Sequence, residues 1–550
     1  MASALAHCVE CGNVHSARAA LIPSPFQPII AQQLMPTASE KAAIRDLLRE
    51  TDADIVRLLC EVAELRHRSE HHRAIIAPIR RVPPEIMAEV FLQLTALEAE
   101  AHSQSQDFLG QNYLVRPVVN KAPLIFCGIS RGWRAIALST PRLWNSLSLR
   151  FKNKPIPTSV SLCEMWLQRS GSLPLSIQLY PRSYTFWPTK LRVNAIDDCQ
   201  DLMKTILRFA KRWRWLDLDR LPTCAHDVLN DLAPGSVPIL ETLLVRHRAP
   251  PANETAESTP WERLRVAPKL RHLYFAALGR ANITTGGEQS TFPWSQLTHI
   301  DVGDCSVDDC LQILNQASTA VGCRFAITRP SAQEHHPILH SELRVLHIQV
   351  DWHGTSLGLL WSCLACTVLS TLSVQGDRVS TGLPSFITRT GRTIEELTLT
   401  SSNLDDDQFM SCLRDMPLLR RLRVTEIVSE IGPGVQFTNQ VWTSLTPPRP
   451  LVPNLESLDV SGMAHSSHKL IVRMLESRLG AGDGQAPKLK AVTLSFWRHV
   501  SDSAILRLDA FGERGVKMSV ERMNEGEEEG SEASDSETED ENSDLQPVTD

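Results

Sequence analysis

Four short runs in the 550-residue sequence hold residue types and spacings that could do chemistry. Cys8-Val-Glu-Cys11, flanked by His7 and His15, has the spacing with which paired thiolates grip zinc. No second ligand pair follows nearby, so free thiols in a mobile leader are the plainer reading. Cys363-Leu-Ala-Cys366 repeats the spacing inside an apolar, helix-like run and reads as core. His335-His336 precedes Pro337 in a loop and reads as solvated. Lys211-Arg212-Trp213-Arg214 mixes cations with an aromatic, as nucleic-acid surfaces do, but it leads straight into a strand-like Trp213-x-x-Leu216-x-Leu218.

The sequence holds no Gly-x-x-x-x-Gly-Lys-Ser/Thr and no His-Glu-x-x-His. It therefore assigns no catalytic residue, no metal site and no cofactor, and the chain reads as non-enzymatic. An enzyme would need a composite site in the long insertions near residues 246–265 and 327–342.

Composition points the same way. Hydrophobic residues make up 42% and charged residues 22%, the ordinary globular mix. The net charge of −7 is unevenly spread: residues 521–550 hold thirteen acids and one base, Arg522, which leaves the preceding 520 residues at +5. Bulk charge thus gives no sign of nucleic-acid binding. Ser531, Ser534, Ser536, Thr538 and Ser543 sit among the tail's acids, a composition that cannot form a core and resembles acid-directed kinase sites. No run of 18 apolar residues and no basic-then-apolar leader is present, so the thirteen cysteines are expected to be free thiols inside the cell, in cytoplasm or nucleus, away from any membrane.

Residues 1–36 read as a disordered leader, and 37–77 as an amphipathic helix. Ile44, Leu48, Thr51, Ile55, Leu58, Val62 and Leu65 recur at spacings of 4 and 3, a heptad stripe that packs either on the rest of this protein or, by self-association or with a partner, on another helix. In residues 78–150 Pro83-Pro84 suits a helix's first turn, with Glu85 near the positive end of the dipole. Ile86, Val90, Phe91 and Leu94 make an apolar face; residues 98–117 read as loop, and Ala122–Ile129 and Trp133–Leu138 as further helices. So small a module usually needs a partner or neighbour to bury its surface.

That block resembles the F-box. The residues carrying the likeness are Val82-Pro83, Pro84-Glu85-Ile86, Val90-Phe91, Leu124 to Cys127, Trp133, Ile136-Ala137 and Pro141-Arg142-Leu143-Trp144. With the preceding heptad helix it looks like the F-box families of mushroom-forming fungi. The family's opening Leu is Val82 here, the Cys three places before the Trp is Ser130, and the first inter-helix loop is longer. The resemblance implies docking to a Skp-family adaptor, with Pro83, Ile86, Val90, Phe91, Leu124 and Ile125 as its contacts.

From Trp213 to Leu494 an apolar-x-x-apolar-x-apolar pattern recurs, opening at Leu240, Leu270, Leu297, Leu343, Leu369, Ile394, Leu419, Leu455 and Leu489. Proline stands two residues before five of these nine openings: Pro238, Pro268, Pro417, Pro453 and Pro487. The intervening positions are mostly polar. The unit looks like the strand of a leucine-rich repeat, with helices over Asp308–Leu314, Leu404–Leu413 and Lys469–Leu479 between strands. Cys305 fills the family's Asn/Cys position, Asn403 falls one place out, and the Asn ladder is otherwise absent.

The spacings run 30, 27, 46, 26, 25, 25, 36 and 34, so the longer ones imply inserted loops or a missed repeat. Val160–Gln168 and Asp201–Ala210 read as helices and Leu175–Leu179 as a strand, capping the array. The expected fold is therefore α/β: a small all-α F-box module (78–150), an irregular leucine-rich-repeat solenoid of about ten strands (151–518) and an acidic tail (519–550). The resemblance implies a substrate-recognition subunit of a Skp–cullin–F-box ubiquitin ligase, its repeats binding a protein substrate. The alternative is a leucine-rich-repeat scaffold that binds a protein outside any ligase.

Overall fold

The structure is a computed structural model. It describes residues 24–101, 114–151, 157–181, 193–219, 228–246, 266–276, 292–350, 356–376, 381–400, 404–425, 428–429, 432–433, 437–446, 450–463, 466–479, 489–496 and 502–522, and short strands at 5–7 and 14–16. Cys8, Cys11, Asn403, most of the 246–265 insertion and the tail from 523 on lie outside the described residues. The chain divides into two compact units, Met1–Met87 and Ala88–Asp550.

The first unit is dominated by helix α1, Ala38–Ile76. Thr37 closes its start with a reciprocal box: Thr37 Oγ1 accepts from Glu40 N–H at 3.3 Å, and Glu40 Oε2 accepts from Thr37 N–H at 2.7 Å. Its 39 residues bury none of their described side chains. Of the heptad stripe, Leu48, Ile55, Val62 and Leu65 are exposed.

Helix α2 (Pro84–Ala101) begins in this unit and runs into the next, ending three residues beyond where the loop was expected to begin. The second unit continues with α3 (Leu124–Ile129) and α4 (Arg131–Leu138). A fourteen-stranded sheet follows, every neighbouring pair of it parallel. Its strands are β1 Ser146–Phe151, β2 Leu175–Pro181, β3 Trp213–Asp219, β4 Thr242–Arg246, β5 His272–Phe275, β6 His299–Ser306 and β7 Gly322–Arg329. They continue as β8 Val345–Val350, β9 Thr371–Gln375, β10 Glu396–Thr400, β11 Arg421–Thr425, β12 Ser457–Met463, β13 Ala491–Phe496 and β14 Lys517–Arg522.

Strand order in space is strand order in sequence, the arrangement of an α/β solenoid. Helices lie between strands: α5 Pro157–Arg169, α6 Val193–Leu207, α7 Val307–Gln316, α8 Gly358–Cys363, α9 Leu383–Thr390, α10 Asp406–Arg414, α11 Asn439–Ser444, α12 His468–Leu479 and α13 Asp502–Asp509. Consecutive helices from α8 to α13 pack on one another.

The repeat pattern explains the register. Leu243, Leu273, Ile300, Cys323, Leu346, Leu372, Leu397, Leu422, Leu458 and Val492 form one ladder across the sheet. Val245, Phe275, Val302, Phe325, Ile348, Val374, Leu399, Val424, Val460 and Leu494 form a second, two residues on. Both ladders and all nine opening residues are buried. Alternation makes this one face of the sheet, and that face is the core.

The structure adds three strands, β7, β1 and β14, to the ten of the sequence pattern with its earlier copy at Trp213 and the one expected at Leu175–Leu179. The 46-residue gap hides β7, opened by Ala320 and followed by Cys323 and Phe325. β2 matches the expected strand at Leu175–Leu179. β1 falls at the end of the 78–150 block, and β14 runs past 518 to Arg522.

Three arginines, of which Arg478 is buried, Arg212 half-buried and Arg389 exposed, stand in for the missing Asn ladder. Arg212 Nε donates to Leu173 O at 2.9 Å and its Nη2 to Ser170 Oγ, just past α5. Arg389 on α9 reaches Trp361 O and Leu364 O at the end of α8. Arg478 on α12 donates to Leu445 O at 2.9 Å and Val452 O at 3.1 Å beyond α11. Each satisfies carbonyls that a helix end leaves open, with a cation at the negative end of its dipole.

Candidate functional site

Two surfaces carry the residues of interest. In the first, Phe91 of α2 stacks on Phe126 of α3 with centroids 4.1 Å apart and rings 9° from parallel, and Trp133 of α4 closes the group at 5.0 Å from Phe91. Glu98 Oε2 accepts from Ala122 N–H at 2.8 Å, fastening the end of α2 to the start of α3. Ser130, where the F-box pattern has Cys, caps α4 by accepting from Trp133 N–H at 3.1 Å.

With these rings inside, other apolar side chains are left outside. Val90 is 43% exposed, Ile125 37% and Ile129 54%. Leu94 and Leu97 further along α2 are exposed too. Ile86, four residues before Val90 on the same helix, is 56% exposed, and Pro83 is exposed. Leu124 is half-buried. Phe91 differs from the expected contact role: at 0% exposure it is core, and it supports the surface from beneath.

The second surface is the sheet face opposite the core. Position by position it carries Ser148, Gln178, Asp217, Leu244, Tyr274, Asp301, Arg324, His347, Ser373, Thr398, Arg423 and Asp459. These residues were not singled out from the sequence. Their signal was there, in the slot between the second and third apolar positions of each repeat, polar in most and Leu244 in β4.

The face changes character along its length. On β9 to β11 it alternates with the core in the manner of a half-solvated sheet, whereas on β3 and β4 both faces are covered. Trp215 and Leu244 form an apolar cluster there with Leu114 and Tyr274. Beside it, Val115 O accepts from Ser148 N–H at 2.8 Å on the open side of β1, blunting the sheet edge.

Polar groups run across the covered strands. Ser148 Oγ donates to Gln178 Oε1 at 2.7 Å, and Gln178 Nε2 donates to Asp217 Oδ2 at 2.9 Å. Arg246 reaches the same oxygen at 3.0 Å, with its guanidinium 5.3 Å from the Tyr274 ring centre. Two strands on, Arg324 pairs with buried Asp301 at 3.3 Å. Burial pushes the Tyr274 phenol up, with Asp301 adding to it.

Three imidazoles share this face. Burial lowers His272, with a further push from His299, whose ring centre lies 5.0 Å away; burial lowers His299 as well. His347 is held down at about 4 by burial, with Arg324 nearby adding to it. A neutral, hydrogen-bonding strip results at neutral pH.

Elsewhere the chemistry-capable runs have structural work. Cys363 and Cys366 are buried as expected, but Leu364–Cys366 is a short strand paired with Ile338–His340, not helix, because α8 ends at Cys363. His336 is exposed, whereas His335 is half-buried and partnered: its Nε2 lies 2.7 Å from Asp308 Oδ1, which Ser331 also meets. Ala332 N–H donates to Asp308 Oδ2 at 2.8 Å, so this carboxylate pins the 330–337 loop. Trp213 is core, and Arg212 is occupied by carbonyls. Among the described residues no group of three or more His, Cys, Asp or Glu is placed to hold a metal, and no helix is long and apolar enough to cross a membrane.

Comparison with known proteins gives no matching family model and no matching curated relative. What the geometry defines is an α/β chain: a helical stretch followed by a long, sequentially ordered parallel sheet.

Proposed function

We propose that this chain is the substrate-recognition subunit of a Skp–cullin–F-box ubiquitin ligase, its α2–α4 module being an F-box and its sheet a leucine-rich-repeat array. One observation carries the reading. The module's aromatic residues are spent on its own core, while Ile86, Val90 and Ile125, at the positions matching the F-box pattern, turn outward. An aliphatic surface on so small a helical unit is what an adaptor would cover. The role of the chain is then positional. The adaptor ties it to the ligase, the sheet's polar face and the loops hold a protein target, and a lysine of that target is brought to the ubiquitin donor by proximity alone. The chain itself contributes no bond-making group.

The test is co-expression of the full chain with a Skp-family adaptor. The wild type retains the adaptor through size-exclusion chromatography, and the Ile86→Asp/Val90→Asp variant loses it with an unchanged circular-dichroism spectrum. A wild-type chain that leaves the adaptor behind overturns the ligase reading and returns the protein to a repeat scaffold.

A further inference from the structure

We infer that α1 is a dimerisation helix, which pairs with α1 of a second copy of this chain as a parallel two-stranded coiled coil. Its capping box fixes where the helix starts, and none of its described side chains is buried within the chain. Exposed among them are Leu48, Ile55, Val62 and Leu65, four members of one heptad stripe, with Leu59 widening it.

The residue types along the stripe identify the occupant. Numbered as heptads, Leu48, Ile55 and Val62 take the a positions, and Ile44, Thr51, Leu58 and Leu65 the d positions. In the last two heptads, Ile55 and Val62 at a with Leu58 and Leu65 at d are the β-branched and leucine pairing that favours two parallel strands. The flanks agree. Glu61 stands at g and Arg66 at the e position of the next heptad, the pair that meets across a parallel dimer, and symmetry makes the contact twice. An antiparallel pair would set Glu61 against Asp54 of the second copy, like charge on like.

Cys60 at f and Arg57 at c stay outside the interface. Arg57 already pairs within its own helix, with Asp54 at 2.8 Å and Glu61 at 3.7 Å. The inference rests on this helix alone and does not depend on the ligase reading.

Light scattering on the full-length protein at micromolar concentration tests it. The expected mass is twice 61.3 kDa. Val62→Asp, which sets two carboxylates face to face in the seam, weakens the dimer by about 100-fold or more. Glu61→Arg weakens it by about three- to tenfold, and Glu61→Arg with Arg66→Glu restores it. All three sites are exposed, so circular dichroism of each variant should match the wild type. A monomeric wild type overturns the inference, as does a dimer indifferent to Val62→Asp. A dimer strengthened by Glu61→Arg overturns the parallel arrangement.

Discussion

The indole of Trp144 meets that of Trp166 edge-on, with ring centres 4.8 Å apart, and each indole N–H has its own carbonyl. Trp144 Nε1 donates to Ala137 O at 2.8 Å, and Trp166 Nε1 to Ser146 O at 3.0 Å. Arg169 lies over the Trp144 ring at 4.8 Å. These contacts join the end of α4, the start of β1 and helix α5, so the helical module and the first repeat share one core.

Trp144→Ala should therefore act on both sides of that junction. The expected loss is about 3–5 kcal/mol, the range for removing a fully buried large aromatic. Hydrogen exchange checks it: amides of α4 and of β1 should lose protection together. Protection lost in α4 alone would mean that the module folds apart from the sheet.

Much of this was legible in the sequence, for a physical reason. A strand repeated in register must offer the same apolar positions each time, so Leu397 and Leu399 predict the slots of Leu422 and Val424. Legibility fails where small residues serve. β7 escaped because its opening residue is Ala320 and its next is Cys323, both buried but neither reading as strand core. The F-box-like block exposed its helix periodicity but not which apolar side chains turn inward. Phe91 and Val90 are neighbours of similar hydrophobic character, and only the stacking of Phe91 on Phe126 separates core from surface. The arginine caps were invisible, since Arg212, Arg389 and Arg478 look like any other charged residue until their carbonyl partners are known.

Arg478 gives a direct test of those caps. It is 3% exposed, and burial has moved its guanidinium down to about 10. Its partners are two carbonyls beyond α11. Arg478→Met keeps most of the packing but strands both acceptors, and should cost about 2–4 kcal/mol. Arg473, on the same helix and without so buried a place, should tolerate the same change within about 0.5 kcal/mol. Urea midpoints of the two variants decide it; equal midpoints would remove the capping role.

The Asp217–Arg246 pair should behave as a unit. Asp217 is fully buried, and its Oδ2 accepts from both Arg246 and Gln178. Arg246→Gln leaves a buried carboxylate short of its cation and should cost about 2–4 kcal/mol. Asp217→Asn with Arg246→Gln removes both charges and should cost less than the two single changes added together, by about 1 kcal/mol or more. A double-mutant cycle from denaturant unfolding measures the difference. Strict additivity would mean that the two charges stabilise the face independently.

His347 makes the sheet acid-sensitive in a defined window. Its folded-state value is about 4, pushed down from 6.5 chiefly by burial. Between those two values the unfolded chain binds the proton and the folded chain does not, so stability falls as pH drops from 6.5 toward 4. Each unit of difference corresponds to about 1.4 kcal/mol. The ring's remaining contact with water reduces the total to about 1–3 kcal/mol. His347→Gln removes the titrating group from both states. Its melting temperature should therefore fall less than the wild type's between pH 6.5 and pH 4, while the two stay parallel above pH 7. A variant that loses stability in step with the wild type across the acid window would place the sensitivity elsewhere on the face.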